Sequence, residues 1–353
     1  MKNFTLIVFN TIILVFIINA LIVLVWPIIS DYRNQKHSYI NEQKNLLDLK
    51  EEDLIILQNE TWRKNYKYEF IPFIGHSEID KNGKFVNFTK KNGRRIQRPT
   101  NCIFNIYLYG GSTTFGYSVT DYQTIGQYLQ DILPKEYCVF NHGRSLYYSK
   151  QENNLFLNHI ENDRKIHYAF FLDGYNERCG GYGFQNIIAN NFSHLIEKPY
   201  LLWKKSFLTF LYSTPIFQLY LKFFNNSWAE NQNYAFVNIE NCQKDISLNE
   251  LFEKRVSHRH AICKIYNIQC FSFLQPMAGI HGIQDPKLLS LIEKNSHIKK
   301  YNILSKSTKN QYIIDLGYLL NNESNLSYID AQHYSPETNK KMAQEYLSFI
   351  SRG

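Results

Sequence analysis

The sequence lacks the features that mark nucleic-acid-binding and zinc-binding proteins. Its formal net charge of +8 comes from 39 lysine and arginine residues against 31 acidic ones, in short clusters such as Arg94-Arg95. It has no long basic run, no zinc-finger spacing and no motif of an RNA-binding module. No two of its six cysteines form a Cys-x-x-Cys pair, which argues against structural zinc. We therefore expect no nucleic-acid partner, no metal and no cofactor.

Low hydrophobicity, the usual sign of disorder, is also missing. Hydrophobic residues make up 44% and aromatic residues 16% of the 353-residue chain, so it can bury a substantial core. One large domain is the simplest reading. The mild basic excess favours affinity for anionic lipid or glycan surfaces.

Charged residues are absent from residues 4–29, an almost wholly apolar run. At 1.5 Å per residue, such a helix is long enough to span the ~30 Å hydrocarbon layer of a bilayer. No small-x-small cleavage site follows it, which argues against a cleaved signal peptide. We predict a transmembrane anchor over 1–30, with the amino terminus inside and the main domain periplasmic or extracellular.

Sustained heptads are missing from the next segment, residues 31–68, which is polar with scattered leucines and isoleucines. We predict a helical stalk here, followed by the main domain over 69–353 with an aromatic-rich insertion at about 180–240. The stretch 70–99 predicts a β-hairpin or irregular strands at the edge of a sheet. The even number of cysteines in an exported chain allows disulfides, and Cys102 with Cys138 is one candidate pair.

Short apolar runs alternate with helical patterns from residue 103 onward. We predict strands over 103–109, 136–141, 167–172, 269–274 and 312–316, and helices over 121–133, 151–162, 248–266, 286–297 and 337–350. This order is typical of an α/β fold with a doubly wound, mostly parallel sheet.

Polar residues follow several of these strands, where open α/β sheets bind ligands. Gly110-Gly111 ends the first strand and is followed by Ser112, while Gly143 and Asn176 follow the next two strands. A glycine turn at a strand end suits a nucleophile, although it also suits a plain connection or a phosphate-binding loop.

Asp330 and His333 lie on a loop before the last helix, in a D-x-x-H pattern. A serine hydroxyl is a poor nucleophile until an imidazole takes its proton, and a carboxylate orients that imidazole. Ser112, Asp330 and His333 supply these groups in the order nucleophile, acid, base. The competing interpretation is a surface histidine and a turn aspartate beside a helix cap.

Four short motifs resemble the conserved blocks of the SGNH hydrolase superfamily, also called GDSL-like lipases and esterases. They are GGST around Ser112, His142-Gly143, the run Gly174-Tyr175-Asn176-Glu177, and Asp330-Ala331-Gln332-His333. A glycine replaces the family's first Asp and a glutamate replaces its third-block Asp, which leaves the subfamily and substrate open.

The resemblance implies a three-layer α/β/α sandwich in which Ser112 is the nucleophile and His333, oriented by Asp330, is the general base. It further implies an oxyanion hole made by the N–H groups of Ser112 and Gly143 and the side-chain amide of Asn176. On this basis we expect a membrane-anchored esterase that removes acetyl or other acyl groups from an envelope or extracellular glycan. Two alternatives stay open: an O-acyltransferase acting on a glycan, and a non-catalytic envelope or glycan-binding protein with the same fold.

Overall fold

The structure, a computed structural model, describes residues 45–61, 68–179, 246–292 and 294–352, with scattered helical positions between 9 and 21. Most of the predicted anchor over 4–29, part of the predicted stalk and the insertion at about 180–240 lie outside the described residues. Within the described part of the chain, no helix has the length and apolar character needed to cross a bilayer.

The chain divides into two units. One comprises Met1–Tyr39 and Gly180–Glu240, and the other comprises Ile40–Cys179 and Asn241–Gly353. The second unit contains every residue of the predicted catalytic set.

Ten strands are described in this unit. In chain order they are β1 Tyr68–Ile71, β2 Gly75–Glu78, β3 Lys81–Asn82, β4 Asn87–Thr89, β5 Gly93–Arg94, β6 Phe104–Gly110, β7 Tyr137–Asn141, β8 Tyr168–Asp173, β9 Gln269–Leu274 and β10 Ile313–Asp315. β1 and β2 form an antiparallel hairpin, and the other eight form one sheet in the order β10-β9-β8-β6-β7-β5-β4-β3.

The five strands from β10 to β7 are parallel, and β5, β4 and β3 extend the sheet antiparallel from β7. This confirms the predicted mixed α/β fold with a central, mostly parallel sheet. The chain leaves β6 toward β7 on one side and then returns to β8 on the other. The direction of winding therefore reverses between β6 and β8, and ligands bind at such a switch point beyond the carboxyl ends of the strands.

Eight α-helices with defined bounds lie in this unit. They are α1 Glu51–Thr61, α2 Ser112–Phe115, α3 Ile125–Ile132, α4 Ser149–Glu161, α5 Leu248–Ile265, α6 Pro286–Leu291, α7 Lys294–Leu304 and α8 Pro336–Arg352. α3 packs against α8, and α4 packs against α5.

Aromatic side chains fill the spaces between the sheet and its helices. On one face the Tyr346 ring of α8 packs against Phe170 and Phe273, with ring centroids 4.9 and 4.8 Å away. On the other face Phe156 of α4 packs edge-on against Phe171 at 5.4 Å. Every residue of β8 is buried, which explains why the strand reads as a continuous apolar run rather than an alternating one.

Two predicted helices are divided in the structure. The stretch 121–133 contains a 3₁₀ turn, Asp121–Gln123, and then α3, because the Thr124 hydroxyl accepts a hydrogen bond from Gln127 N and caps a new helix. The stretch 286–297 contains α6 and the start of α7, with Ile292 in an extended conformation between them.

The helix α1, part of the predicted stalk, packs against the domain. Its Leu54 and Leu57 are buried in one cluster with Phe88 and Phe115. The Glu60 carboxylate accepts hydrogen bonds from three successive backbone N–H groups, those of residues 84–86, at 2.7–2.9 Å. The buried leucines of α1 are thus covered by its own domain.

Disulfides join Cys102 to Cys138, the candidate pair of the sequence analysis, and Cys263 to Cys270. The first links the segment before β6 to β7, and the second links the end of α5 to β9. None of the cysteines within the described residues is free.

Candidate active site

Ser112 lies at the carboxyl end of β6, as the first residue of the short helix α2. The two glycines before it are needed for close packing. A Cβ atom on Gly110 would collide with the Thr114 side chain, and one on Gly111 would lie 2.5 Å from Asn176 Nδ2. Ser112 itself is half-buried, so its hydroxyl is reachable from outside the core.

The structure brings Ser112, His333 and Asp330 together in one chain of hydrogen bonds. His333 Nε2 lies 2.9 Å from Ser112 Oγ, and His333 Nδ1 lies 2.7 and 2.9 Å from the two carboxylate oxygens of Asp330. A carboxylate beside Nδ1 favours the tautomer with hydrogen on Nδ1, which leaves the Nε2 lone pair to accept the serine hydroxyl. This is the arrangement that a general base needs.

The Asp330 carboxylate is fixed by its own loop. Its Oδ1 accepts the backbone N–H groups of Gln332 and His333 at 2.9 and 2.8 Å, and its Oδ2 accepts the Ser118 hydroxyl at 3.4 Å. Burial alone would raise the pKa of Asp330, but His333 and these hydrogen bonds outweigh it and hold the pKa below its ordinary value. Asp330 is therefore ionised at neutral pH.

The loop that carries His333 is anchored on both sides. Ile329 N donates to His333 O at 2.9 Å, and the Tyr334 hydroxyl donates to Pro276 O at 2.8 Å. The Tyr117 ring stacks on the His333 imidazole, with centroids 5.1 Å apart and planes 27° apart. These contacts restrict the imidazole to the orientation that faces Ser112.

Gly143 differs from the expectation that its N–H points into an oxyanion hole. That N–H donates instead to Asn141 Oδ1 at 3.0 Å, and a Cβ atom on Gly143 would collide with Phe115 N. The geometry gives Gly143 a packing role, in which it lets the end of β7 approach α2.

Asn141 is a residue that sequence reasoning missed. It is completely buried; its Oδ1 accepts from Gly143, and its Nδ2 donates to Thr114 O at 2.7 Å. It therefore fixes the position of α2, which begins with Ser112. The available signal was a polar residue at the last position of a buried strand.

Asn176 lies three residues after the end of β8, and its side chain is next to Gly111. Its Nδ2 donates to Tyr147 O at 3.0 Å, and this uses one of its two amide hydrogens. The second amide hydrogen has no acceptor within the described residues. The N–H of Ser112 also lacks an acceptor within its helix, because the first residue of a helix has no intrahelical acceptor. Two donors thus remain near the serine.

The loop before Tyr147 is strained. Leu146 has a φ of 67°, a conformation that bulky residues rarely adopt. Arg178 Nη2 donates to Leu146 O at 3.0 Å and helps to hold it. Because this position holds a leucine and not a glycine, the strain could not be predicted from the residue type.

Glu177, where the family resemblance has an aspartate, joins the end of β8 to α4. Its carboxylate accepts Ser149 N at 2.7 Å and Ser149 Oγ at 2.8 Å, and it pairs with Arg255 at 3.2 Å. Burial, and then the charge of Asp173, raise the pKa of Glu177 despite these partners. Arg259 in turn holds Asp173, the last residue of β8, at 2.6 Å. Buried ion pairs therefore fix the strand end from which Asn176 projects.

Chemically, the site offers a hydroxyl, a base to deprotonate it and hydrogen-bond donors beside it. No group of three or more His, Cys, Asp and Glu side chains placed to hold a metal occurs in the described ranges. The arrangement is suited to attack on an ester carbonyl.

Comparison with known proteins finds similarity only among solved structures. The sequence matches no protein-family model and no curated protein. An acetyl xylan esterase is similar at 13% identity and a TM-score of 0.39, covering 70% of this chain and 100% of that chain. A carbohydrate acetylesterase from Sinorhizobium meliloti has 10% identity, a TM-score of 0.39, and coverage of 70% and 99%. An aryl esterase of M. smegmatis has 9% identity, a TM-score of 0.37, and coverage of 70% and 99%. Similarity at this level carries no function over to this chain.

Proposed function

We propose that the protein is a serine esterase with Ser112 as nucleophile, His333 as general base and Asp330 as the carboxylate that orients it. The observation that supports this most is the unbroken path from Ser112 Oγ through the His333 ring to the Asp330 carboxylate, at 2.9 and 2.7 Å. Hydrogen-bond distances throughout this path are what base-assisted attack requires.

In the proposed reaction, Ser112 Oγ attacks the ester carbonyl while its proton passes to His333 Nε2. The tetrahedral oxyanion accepts hydrogen bonds from Ser112 N–H and the second amide hydrogen of Asn176. The carbon–oxygen bond to the alcohol then breaks, and His333 returns the proton to the leaving alkoxide. Water, deprotonated by His333, attacks the acyl-serine and releases the carboxylic acid and free Ser112.

The substrate and location belong to the same proposal. An anchor over residues 4–29 would hold the catalytic domain on the outer side of the membrane, where acylated glycans of the envelope are within reach. Two disulfides among the described residues support an oxidising compartment. We propose that the substrate is an acetyl ester, or another acyl ester, of such a glycan.

The test is ester hydrolysis by the full-length protein purified in detergent. We expect release of p-nitrophenol from p-nitrophenyl acetate, and loss of that activity in Ser112→Ala. A control, Thr308→Ala, removes a hydroxyl that donates within its own 3₁₀ turn, away from the site, and should retain activity. Equal activity in Ser112→Ala would contradict the proposal.

A further inference from the structure

A groove of ≈ 650 Å³ runs between the segment 95–99 and the second half of α3 with the loop that follows it. Its lining residues are Arg95, Ile96, Gln97, Arg98, Pro99, Gln130, Asp131, Leu133 and Lys135. None of them belongs to the proposed catalytic set. Lys135 lies just before β7, and Ser112 lies just after β6. Because these strands are parallel, the Lys135 end of the groove lies at the opposite end of the strands from Ser112.

The walls of the groove are tied together in the protein itself. Gln97 N donates to Gln127 Oε1 at 2.7 Å, which joins the segment 95–99 to α3. Gln130 Nε2 donates to Tyr137 O at 3.0 Å, and Val139 N donates to Gln130 Oε1 at 2.9 Å, which joins α3 to β7. The disulfide at Cys138 lies beside Pro99, whose carbonyl oxygen is 3.4 Å from Cys138 Sγ. The groove is therefore formed before any ligand arrives.

Its charge is positive and not neutralised. Arg95, Arg98 and Lys135 line it, and across the described ranges no carboxylate lies within salt-bridge distance of any of them. The acidic residue in the lining, Asp131, accepts a hydrogen bond from Gln127 Nε2 at 2.8 Å. The Arg98 guanidinium lies 4.0 Å from the centroid of the Phe140 ring, a contact that orients it.

We propose that this groove binds a segment of an acidic glycan chain. Arg95, Arg98 and Lys135 attract carboxylate or phosphate groups, and the partly exposed Pro99 ring can contact the C–H face of a sugar ring. The site is open to solvent, so a polymer chain can reach it. The choice of a glycan rests on the proposed function, whereas the binding of an anionic ligand does not. The groove would bind one part of the polymer, at a distance from the ester that Ser112 attacks.

The test measures binding of a fluorescein-labelled oligogalacturonide to the full-length protein by fluorescence polarisation. The variant Arg95→Gln/Arg98→Gln/Lys135→Gln should bind about tenfold more weakly, as expected for the loss of three partly exposed ion pairs. Added salt should weaken wild-type binding and change that of the variant less. The matched control Lys264→Gln/Lys306→Gln/Lys340→Gln removes the same charge from exposed positions elsewhere and should bind like wild type.

Equal affinity of the groove variant and the charge-matched control would overturn the proposal. The proposal would also be overturned if the groove variant lost binding to phosphatidylglycerol vesicles but still bound the oligogalacturonide. The groove would then be a lipid-headgroup site. If the triple variant does not fold, Arg95→Glu/Lys135→Glu changes only exposed side chains and carries the same expectation. Ester hydrolysis measured in parallel separates the two proposals. Binding without hydrolysis contradicts only the esterase, and hydrolysis with unchanged binding by the groove variant contradicts only the groove.

Discussion

His333 Nε2 lies 2.9 Å from Ser112 Oγ, although 221 positions of sequence separate the two residues. The sheet explains how they meet. Ser112 follows β6, the strand at the switch point, and the loop of His333 is held against the same edge by Tyr334 and Pro276. Contacts that fix each partner separately thus fix their mutual distance, which lowers the entropic cost of reaching the reactive geometry.

Asp330→Asn should abolish most esterase activity while leaving the fold intact. An amide in place of the carboxylate no longer favours the histidine tautomer that can accept the serine proton, and a loss of roughly 10⁴-fold in kcat is expected. The control Asp163→Asn changes an exposed aspartate with a φ of 54°, which asparagine tolerates. Steady-state hydrolysis of p-nitrophenyl acetate measures both variants, and an Asp330→Asn enzyme with near wild-type kcat would exclude the proposed role of Asp330.

Asn176→Ala should lower kcat with little change in KM, because the amide is proposed to bind the oxyanion more strongly than the ground-state carbonyl. The expected loss is about 10²- to 10³-fold. Asn154→Ala is a matched control, since Asn154 Nδ2 also donates to a backbone carbonyl, that of Phe73, at 2.7 Å but outside the site. A change in KM alone would instead assign Asn176 to substrate binding.

Two buried histidines should make the fold sensitive to acid. Burial lowers the pKa of His142 and of His159 well below the ordinary value of 6.5. The charge of His159 is the second cause for His142, and the charges of nearby arginines lower the pKa of both histidines further. Below about pH 6.5 these histidines bind protons in the unfolded chain but not in the folded protein, so the free energy of unfolding falls as the pH falls.

His142→Phe keeps a ring in the stack with Tyr107, whose centroid lies 5.2 Å from that of His142, and removes one titrating group. The free energy of unfolding, from urea titrations at about pH 7.5 and about pH 5.5, should then depend less on pH, by up to about 1.4 kcal/mol per pH unit. His258→Phe changes an exposed histidine and serves as the control. The same pH dependence in wild type and His142→Phe would refute this explanation.

Leu54→Ala should destabilise the domain by about 2–5 kcal/mol if α1 is part of its core. Leu54 is buried to 1% exposure, whereas its neighbour Ile55 is 45% exposed. Ile55→Ala is therefore the control, with an expected effect well under that of Leu54→Ala in chemical denaturation. Equal effects of the two substitutions would mean that α1 does not pack on the domain in solution.

The sequence predicted the parts of this fold that depend on local periodicity. β9 has the predicted residues, and β6, β7 and β8 begin and end within two residues of the expected positions. The cap at Thr124 was missed because its neighbours continue a helical pattern and only the local backbone shows the break. The docking of α1 was missed because its few buried leucines do not form a regular stripe.

At the site, the pattern of residue types was sufficient to place Ser112, Asp330 and His333 in one group. The pattern did not predict the direction of individual hydrogen bonds, and Gly143 is the example. Its N–H donates to the side-chain oxygen of Asn141, two residues earlier. No sequence rule indicates that an amide side chain will accept a hydrogen bond from the backbone just after its own strand. Asn176 was identified by its position after β8, while the ion pairs that fix this strand end involve Arg255 and Arg259, which are far away in sequence.

The most direct test of the account is covalent labelling of the full-length protein by a fluorophosphonate probe, with the modified residue located by peptide mass spectrometry. The account predicts one adduct, on Ser112, and labelling that is slowed at least about 10³-fold in His333→Ala, because the hydroxyl then has no base beside it. An adduct on another residue, or equal labelling rates in wild type and His333→Ala, would contradict it.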